Sequence, residues 1–246
     1  MTLIAHISDL HVSKANFNEK SFLQIMEEIN NLNPDMIILT GDLTDEGYYQ
    51  DFKQVSKYLD MFNAPLFAVP GNHDSRNIGY ETFEELIGER SWKLTKEDEM
   101  VIIGLDSSAP DVNYGHIGRE QQFWLEAQLE QAKEEGLLTI VALHHHVIPI
   151  PQTGRERNVL TDAGDILKTL IDHDVDIVMC GHKHVSNLWK MHDTLFVNAG
   201  SVSSVKLRGK DVNSYNTYNI TDDYIEIFLN RIDGTKIPFG KFNRKL

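Results

Sequence analysis

The 246-residue sequence predicts an α/β fold in a single domain spanning residues 1–246. Short apolar runs rich in β-branched residues alternate with longer segments whose apolar residues recur at helical spacing, which is typical of α/β proteins. The hydrophobic fraction of 41% argues against a disordered chain. The sequence contains neither an internal repeat nor a Pro/Ser-rich linker that would mark a domain boundary.

Four segments have the apolar periodicity of an amphipathic helix. In the first, Phe22, Ile25 and Ile29 are separated by three and four residues and fall on one stripe. The same kind of spacing recurs in the other segments. We therefore predict helices over residues 22–32, 52–62, 119–134 and 162–172.

Short β-rich runs predict the strands between and after these helices. The earlier runs cover residues 3–8, 36–41, 66–71, 138–143 and 176–181. The last third of the chain changes character, with shorter β-rich stretches at residues 195–197, 215–220 and 224–229. Tight turns join these later stretches, so we predict antiparallel strands that close one side of the fold.

Each of the five earlier runs ends in a polar side chain that can bind a metal ion. In chain order these side chains are Asp9, Asp42, Asn72 with His73, His144 and His182. His11 and His184 each lie two residues beyond one of them, so that both members of a pair can face one side of a loop. Ligands bind at the carboxyl ends of strands in open α/β sheets. We therefore predict that these side chains form one site.

Glycine directly precedes three of the candidate ligands, at Gly41, Gly71 and Gly181. A residue without a Cβ atom lets the backbone turn sharply and approach a bound ion or phosphate closely. The three glycines therefore support a ligand site at the ends of these strands.

The donor set predicts a pair of transition-metal ions. Two carboxylates, one amide and several imidazoles without a thiolate suit Mn²⁺, Fe²⁺ or Fe³⁺, Zn²⁺ or Co²⁺ better than Cu(I) or an iron–sulfur cluster. These ligands are too many for one tetrahedral ion, whereas two ions that share a carboxylate use all of them. Two ions about 3.5–4 Å apart clamp a phosphoryl group and activate a water as hydroxide. The predicted partner is therefore a small-molecule phosphoester substrate.

Charge and composition exclude several other functions. The net charge is −14, so we expect no binding of long nucleic acid, which rewards clustered Lys and Arg. No apolar run approaches the roughly 20 residues that span a bilayer. The one cysteine, Cys180, excludes an intramolecular disulfide and suits a reducing cytosol. The N-terminus has no basic region followed by a small-residue cleavage site, so we predict a cytoplasmic protein, for which an oligomer is possible.

Five motifs resemble those of calcineurin-like metallophosphoesterases and occur in the same order. They are Asp9-Leu10-His11, Gly41-Asp42, Gly71-Asn72-His73-Asp74, His144-His145 and Gly181-His182-Lys183-His184. One such motif is a weak signal, but all five in order are highly specific. Within the family, the start of the chain and the segment Leu105-Asp106-Ser107-Ser108 are most similar to class III cyclic nucleotide phosphodiesterases and glycerophosphodiesterases. The resemblance implies a four-layer α/β/β/α sandwich with mixed sheets and the metal site at the carboxyl ends of the strands.

The resemblance also implies a role for each motif residue. A first metal would be held by Asp9, His11, Asp42 and His184. A second would be held by Asp42, Asn72, His144 and His182, with Asp42 as the bridge. His73 would contact the phosphate and protonate the leaving oxygen, and Asp74 would orient His73 or its loop.

The activity implied most directly is hydrolysis of a small phosphodiester of the cyclic nucleotide or glycerophosphodiester type. A phosphomonoesterase or nucleotide pyrophosphatase using the same site is an alternative, and so is a non-catalytic protein-binding scaffold of the same fold. The protein Ser/Thr phosphatases of the superfamily follow their Gly-Asp with an arginine-containing turn and their Asn-His with Glu. This chain has Asp45-Glu46-Gly47 and Asp74 at those places, so we do not expect a phosphoprotein phosphatase.

Several polar side chains near the motifs have two interpretations. Arg76 and Lys183 are candidate contacts for a phosphate or a substrate carboxylate, or else solvated surface charges. The segment 149–158 is either a pocket rim that helps to select the substrate or an ordinary surface loop. We predict that Asp45 serves a turn and that His6 is a hydrogen-bonded core histidine.

Overall fold

Strands and helices alternate along the first two thirds of the chain. The computed structural model describes residues 1–96, 99–154 and 158–244. The helices are α1 (Glu19–Leu32), α2 (Tyr49–Leu59), α3 (Gly79–Leu86), α4 (Gly118–Glu134) and α5 (Ala163–Asp172). The strands are β1 (Thr2–Ile7), β2 (Met36–Thr40), β3 (Leu66–Val69), β4 (Trp92–Lys96), β5 (Met100–Gly104), β6 (Leu138–Ala142), β7 (Ile177–Cys180), β8 (Asn187–Met191), β9 (Thr194–Asn198), β10 (Ser214–Ile220), β11 (Tyr224–Arg231) and β12 (Lys236–Asn243). All the helices and strands predicted from the sequence are present, within a few residues of the expected bounds.

The strands form two mixed six-stranded sheets. The first has the order β12-β11-β10-β1-β2-β3, and the second has the order β4-β5-β6-β7-β9-β8. In the first sheet β1, β2 and β3 are parallel, and β10 joins β1 antiparallel. The prediction for residues 195–197 was wrong in part, because β9 pairs parallel with β7 and antiparallel only with β8.

Successive side chains of a strand point to opposite faces of the sheet, and both faces of each sheet are buried. In β2, Ile38 packs into the core between the two sheets, whereas Ile37 and Leu39 pack against the helices on the outer face. The second sheet is built the same way, with Ile140 facing the first sheet and Val141 facing the helices. The resulting order of layers is the α/β/β/α sandwich that the resemblance implied.

Helix α1 shows how an outer layer is fixed by its sequence. The side chain of Asn18 accepts a hydrogen bond from the backbone N of Ser21 and caps the first turn. Phe22, Ile25 and Ile29 are then buried against the first sheet, and Asn33 ends the helix in the left-handed conformation. Among the described residues, no helix combines the length and the hydrophobicity that crossing a membrane requires.

Helix α3 and the strands β4, β5, β8 and β12 were not predicted from the sequence. Strand β5 is buried along its whole length, and a five-residue apolar run of this kind is ambiguous between strand and helix. Strand β12 contains Pro238 and Gly240, both of which weaken a strand pattern in the sequence. Pairing with β11 nevertheless holds β12 at the edge of the first sheet.

Candidate metal centre

The seven candidate metal ligands meet at one end of the sandwich. They follow β1, β2 and β3 in the first sheet and β6 and β7 in the second. Thr40 links the two sheets there, because its carbonyl oxygen accepts hydrogen bonds from Ser8 Oγ at 2.9 Å and from His144 Nδ1 at 2.7 Å. Both sheets therefore contribute candidate ligands to the site. The pattern of strand ends in the sequence did not show that two sheets are involved.

A first cluster consists of Asp9, His11 and His184, whose donor atoms all lie within 4.8 Å of one another. Nε2 of His184 is 2.9 Å from Nε2 of His11 and 3.2 Å from Oδ1 of Asp9. All three donor atoms thus point toward one small volume, which a single ion can occupy.

A second cluster consists of Asp42, His144 and His182. Oδ2 of Asp42 is 3.3 Å from Nε2 of His144, and that nitrogen is 3.2 Å from Nδ1 of His182. The same Asp42 oxygen is 3.6 Å from Nε2 of His11 in the first cluster. One carboxylate therefore faces both clusters. Asn72 lines the same cleft as these residues.

The donor atoms in the two clusters fit metal ions. Oδ1 of Asp9 and Oδ1 of Asn72 are buried and have no hydrogen-bond partner among the described residues. An unsatisfied buried acceptor costs about 1–3 kcal/mol, so such atoms in a native protein call for an ion or an ordered water. Oδ1 of Asp9 lies beside the Nε2 atoms of His11 and His184, so a cation is the better match there.

The electrostatics of the site also favour bound cations. Burial opposes protonation of His11, but Asp45, Asp9 and Asp42 outweigh it and raise the pKa of His11 to about 10. Burial also lowers the pKa of His144, but the charge of Asp42 raises it, and the pKa rises to about 9 overall. The surrounding histidines overcome the burial of Asp42 and hold its pKa well below the usual value. The carboxylates therefore stay ionised and attract positive charge, which metal ions supply better than protons do.

Hydrogen bonds at the far nitrogen fix the orientation of two candidate ligands. Nδ1 of His144 donates to the carbonyl of Thr40, and Nδ1 of His184 donates to the carbonyl of Lys206 at 2.7 Å. A carbonyl only accepts, so each Nδ1 carries the proton and each Nε2 presents its lone pair to the cluster. This arrangement is the usual one for a histidine that binds a metal.

The backbone at the site is strained. Five candidate ligands have positive φ angles: Asp9 (55°), His11 (53°), Asp42 (54°), His182 (75°) and His184 (55°). Each such non-glycine residue costs on the order of 1–3 kcal/mol, and strain of this kind clusters at functional sites. Gly71 has a different role, since a Cβ atom there would lie 2.2 Å from Oδ1 of Asp42. The absence of a side chain at Gly71 therefore leaves room for the Asp42 carboxylate.

His73 lies beside both clusters. Its backbone N donates to Oδ1 of Asp42 at 2.9 Å, and its ring packs edge-on against that of His11. Nδ1 donates to the carbonyl of Asp45 at 2.6 Å, which leaves Nε2 to take or give a second proton. Nε2 is 3.4 Å from Nη2 of Arg76. Burial lowers the pKa of His73, and the charges of His11 and Arg76 act in the same direction.

Asp74 is buried behind His73 and holds two ligand loops together. Its carboxylate accepts hydrogen bonds from the backbone N atoms of Leu43, Thr44 and Gly71 and from Thr44 Oγ1. These partners belong to the loops that carry Asp42 and Asn72. Of the two roles that the resemblance allowed for Asp74, the contacts fit orientation of the loop.

Asp45 belongs to the site although the sequence suggested only a turn. The residue is buried, and its Oδ1 lies 3.3 Å from Nδ1 of His11 and 3.6 Å from Nδ1 of His73. A carboxylate behind a ligand histidine orients the ring and makes it a better donor. The available signal was its position three residues after Asp42, which fits a turn equally well.

Two other sequence predictions, for His6 and for residues 149–158, concern positions around the site. His6 is a buried core histidine, as predicted, with Tyr218 Oη at 3.1 Å and Thr40 Oγ1 at 2.9 Å from its ring nitrogens. Cys180 is buried in the outer core of the second sheet. The predicted rim at 149–158 is described only in part, because residues 155–157 lie outside the described residues.

A cleft of about 370 Å³ opens over the clusters. A volume of this size accommodates a small molecule. Arg76 lines it next to His73, held by the carbonyl of Asp45 and by Oδ1 of Asn113. A small molecule in this cleft would lie over both clusters and beside His73.

Sequence comparisons find relatives of the chain among proteins named as phosphodiesterases. The chain is 31% identical, over 76% of its length and 74% of the relative's, to a probable glycerophosphodiester phosphodiesterase from Arcobacter nitrofigilis. It is 24% identical, over 80% of its length and 77% of the relative's, to a 3′,5′-cyclic-nucleotide phosphodiesterase from a Nostoc species.

Solved structures show the same fold at lower sequence identity. A dimetal phosphatase from Danio rerio superimposes with a TM-score of 0.75 at 12% identity, covering 97% of this chain and 99% of that one. The model of the calcineurin-like phosphoesterase family matches residues 2–186, a range that contains every motif identified in the sequence. The chain therefore belongs to the calcineurin-like phosphoesterase family and is a metal-dependent phosphoester hydrolase.

Proposed function

We propose that this protein is a phosphodiesterase that acts on a small phosphodiester with two transition-metal ions. The position of Asp42 between the two clusters carries the proposal, because its Oδ2 lies 3.3 Å from His144 Nε2 and 3.6 Å from His11 Nε2. One ion would be held by Asp9, His11, Asp42 and His184. The other would be held by Asp42, Asn72, His144 and His182.

The donor set suits Mn, Fe, Zn or Co. When bound, such a pair supplies Lewis acidity toward the phosphoryl oxygens and lowers the pKa of a water. The chain's own residues then position the substrate and move the proton. Asp45 and Thr40 orient ligand histidines, and Asp74 fixes the distance between the Asp42 and Asn72 loops.

His73 is the proposed general acid. Its Nδ1 proton is held by the carbonyl of Asp45, so proton exchange with substrate takes place at Nε2, on the side of Arg76. Burial lowers its pKa, and the negative charge of a bound phosphodiester raises it again toward the range useful for proton donation. The ring then gives its proton to the departing alkoxide oxygen.

Two relatives named as phosphodiesterases support a diester over a monoester as the substrate. The turn Asp45-Glu46-Gly47 supports the same choice, because it lacks the arginine of the superfamily's phosphoprotein phosphatases. The buried free thiol of Cys180 is compatible with a reducing compartment, and we place the enzyme in the cytoplasm.

The test is a substrate panel with defined metal content. The purified protein is analysed for bound transition metals, stripped by chelation, reconstituted and assayed on bis-p-nitrophenyl phosphate, 3′,5′-cyclic AMP, glycerophosphodiesters and p-nitrophenyl phosphate. We expect about two ions per chain, loss of activity on chelation and faster hydrolysis of diesters than of the monoester. Faster hydrolysis of p-nitrophenyl phosphate would favour a monoesterase. A metal-loaded protein inactive on every substrate would favour a binding scaffold.

A further inference from the structure

Four cationic side chains line the cleft in an otherwise acidic protein. We call Arg76, Lys183, Lys206 and Arg208 the cationic rim, since all four line the cleft over the two clusters. The whole chain has a net charge of −14. Among the described residues that line this cleft, the one acidic side chain is Asp42, which the proposed ions would neutralise. The cationic rim therefore carries positive charge, whereas the protein as a whole carries negative charge.

The β9–β10 loop carries half of the rim and is tied to the metal ligands. The carbonyl of Lys206 accepts the hydrogen bond from Nδ1 of His184 at 2.7 Å. The ammonium of Lys206 lies 3.7 Å from Oδ1 of Asp45, behind His11. The hydrogen bond between His184 and the carbonyl of Lys206 thus orients the candidate ligand and also holds Lys206 beside the first cluster.

Among the described residues, the hydrogen-bond partners of Arg208 are neutral groups. Its Nε donates to the carbonyl of Lys183 at 3.0 Å, and its Nη1 donates to the carbonyl of Thr153 at 3.3 Å. Neither partner carries a charge, so these contacts orient the guanidinium without cancelling its charge. Arg76 differs, because Glu46 pairs with it at 3.1 Å, although that carboxylate is itself half-exposed.

A phosphodiester needs only its phosphate to reach the two ions, so its alcohol groups lie against the lining of the mouth. Opposite charges attract and like charges repel over the few ångströms involved, and the effect is larger where water is partly excluded. A quaternary ammonium or ammonium group on an alcohol would meet the cationic rim. A neutral polyol or an anionic group would instead accept hydrogen bonds from the N–H groups of the cationic rim.

We propose that the cationic rim makes the enzyme selective for phosphodiesters whose alcohols are neutral or anionic, and that it rejects diesters of cationic alcohols such as choline. This inference rests on the proposed phosphodiesterase function and narrows its substrate class. The specificity-determining side chains are Lys206 and Arg208, which the sequence motifs do not include.

Two glycerophosphodiesters of similar size provide the test. Glycerophosphoglycerol has a neutral second alcohol and glycerophosphocholine a cationic one, while the glycerol phosphate half is the same. We expect kcat/KM to be at least about tenfold higher for glycerophosphoglycerol, the change that about 1.4 kcal/mol produces. We also expect the ratio to shrink as ionic strength rises, since salt screens exposed charges.

Charge reversal assigns the effect to the rim. The double variant Lys206→Glu, Arg208→Glu should lower the ratio of the two kcat/KM values about tenfold or more, mainly by lowering KM for glycerophosphocholine. The milder pair Lys206→Gln, Arg208→Gln should shift it in the same direction and keeps the backbone contact to His184. Lys210→Glu is the matched control, because Lys210 is exposed in the same loop and does not line the cleft.

Equal hydrolysis of both substrates by the wild-type protein would overturn this inference and leave the phosphodiesterase proposal intact. A ratio unchanged in the double variants, or changed equally by Lys210→Glu, would also overturn it. Absence of hydrolysis of any diester by metal-loaded protein would overturn the proposed function, and the inference with it.

Discussion

The carboxylate of Asp45 lies 3.3 Å from Nδ1 of His11, while Nε2 of the same ring faces Asp9, Asp42 and His184. The backbone carbonyl of Asp45 also holds Nδ1 of His73 at 2.6 Å. One residue therefore orients both a candidate metal ligand and the candidate general acid. Carboxylates placed behind ligand histidines in this way tune the metal site from outside.

Replacing Asp45 should weaken the site without removing a ligand. Asp45→Asn keeps the shape and removes the negative charge beside His11. We expect metal affinity or kcat to fall about 10–100-fold, as is usual for such outer partners. Metal titration and rates at saturating metal would measure the two effects separately. Asp165→Asn, an exposed carboxylate of α5, is the control, and unchanged affinity and kcat in Asp45→Asn would refute the role.

Asp42 should be indispensable for the pair of ions. Asp42→Asn removes the charge that faces both clusters, and we expect hydrolysis of bis-p-nitrophenyl phosphate to fall by more than about 100-fold, the upper end of the effect for outer partners. Elemental analysis should show fewer than two ions per chain. A variant that kept two ions and normal rates would exclude the bridging role. Circular dichroism would check that the fold is retained.

Removing His73 should affect substrates according to their leaving group. Alkoxides need a proton to depart, whereas p-nitrophenolate is stable without one, and a general acid contributes about 10²–10⁴-fold. His73→Ala should therefore slow hydrolysis of a glycerophosphodiester about 100-fold and that of bis-p-nitrophenyl phosphate much less. Parallel measurements of kcat on the two substrates decide the matter. Equal losses on both would show that His73 binds phosphate without donating a proton.

His6 should make the protein less stable in mild acid. Burial lowers the pKa of His6 from 6.5 to about 3, so below pH 6.5 the unfolded chain binds a proton that the native protein does not. The free energy of unfolding then falls by up to about 1.4 kcal/mol per pH unit as the pH decreases from 6.5 toward 3. Urea unfolding at pH 7.5 and pH 5, with metal in excess, would measure the loss.

The variant His6→Gln keeps a polar, neutral side chain and removes the titration. The difference in unfolding free energy between pH 7.5 and pH 5 should be smaller in this variant than in the wild type. His192→Gln replaces an exposed histidine and should leave the difference as it is. If both variants had the same pH dependence as the wild type, His6 would not be the group responsible.

Much of the fold could be predicted because its signals are local. The stripe of Phe22, Ile25 and Ile29 predicted α1, and the apolar run before Asp42 predicted β2. Strand β12 could not be predicted in the same way, because Pro238 and Gly240 have weak strand propensity and only pairing with β11 holds the segment extended. The parallel pairing of β9 with β7 is equally a matter of tertiary context.

The sequence by itself determined which residues are the candidate ligands, because the positions of Asp9, Asp42, Asn72, His144 and His182 at strand ends follow from local hydrophobic patterning. Only the tertiary structure decided that Asp45 supports His11 and that Lys206 and Arg208 border the cleft. Those relationships join residues far apart in the chain, and they form when two sheets pack face to face and a distant loop folds over their common end. Local patterning carries no information about such contacts.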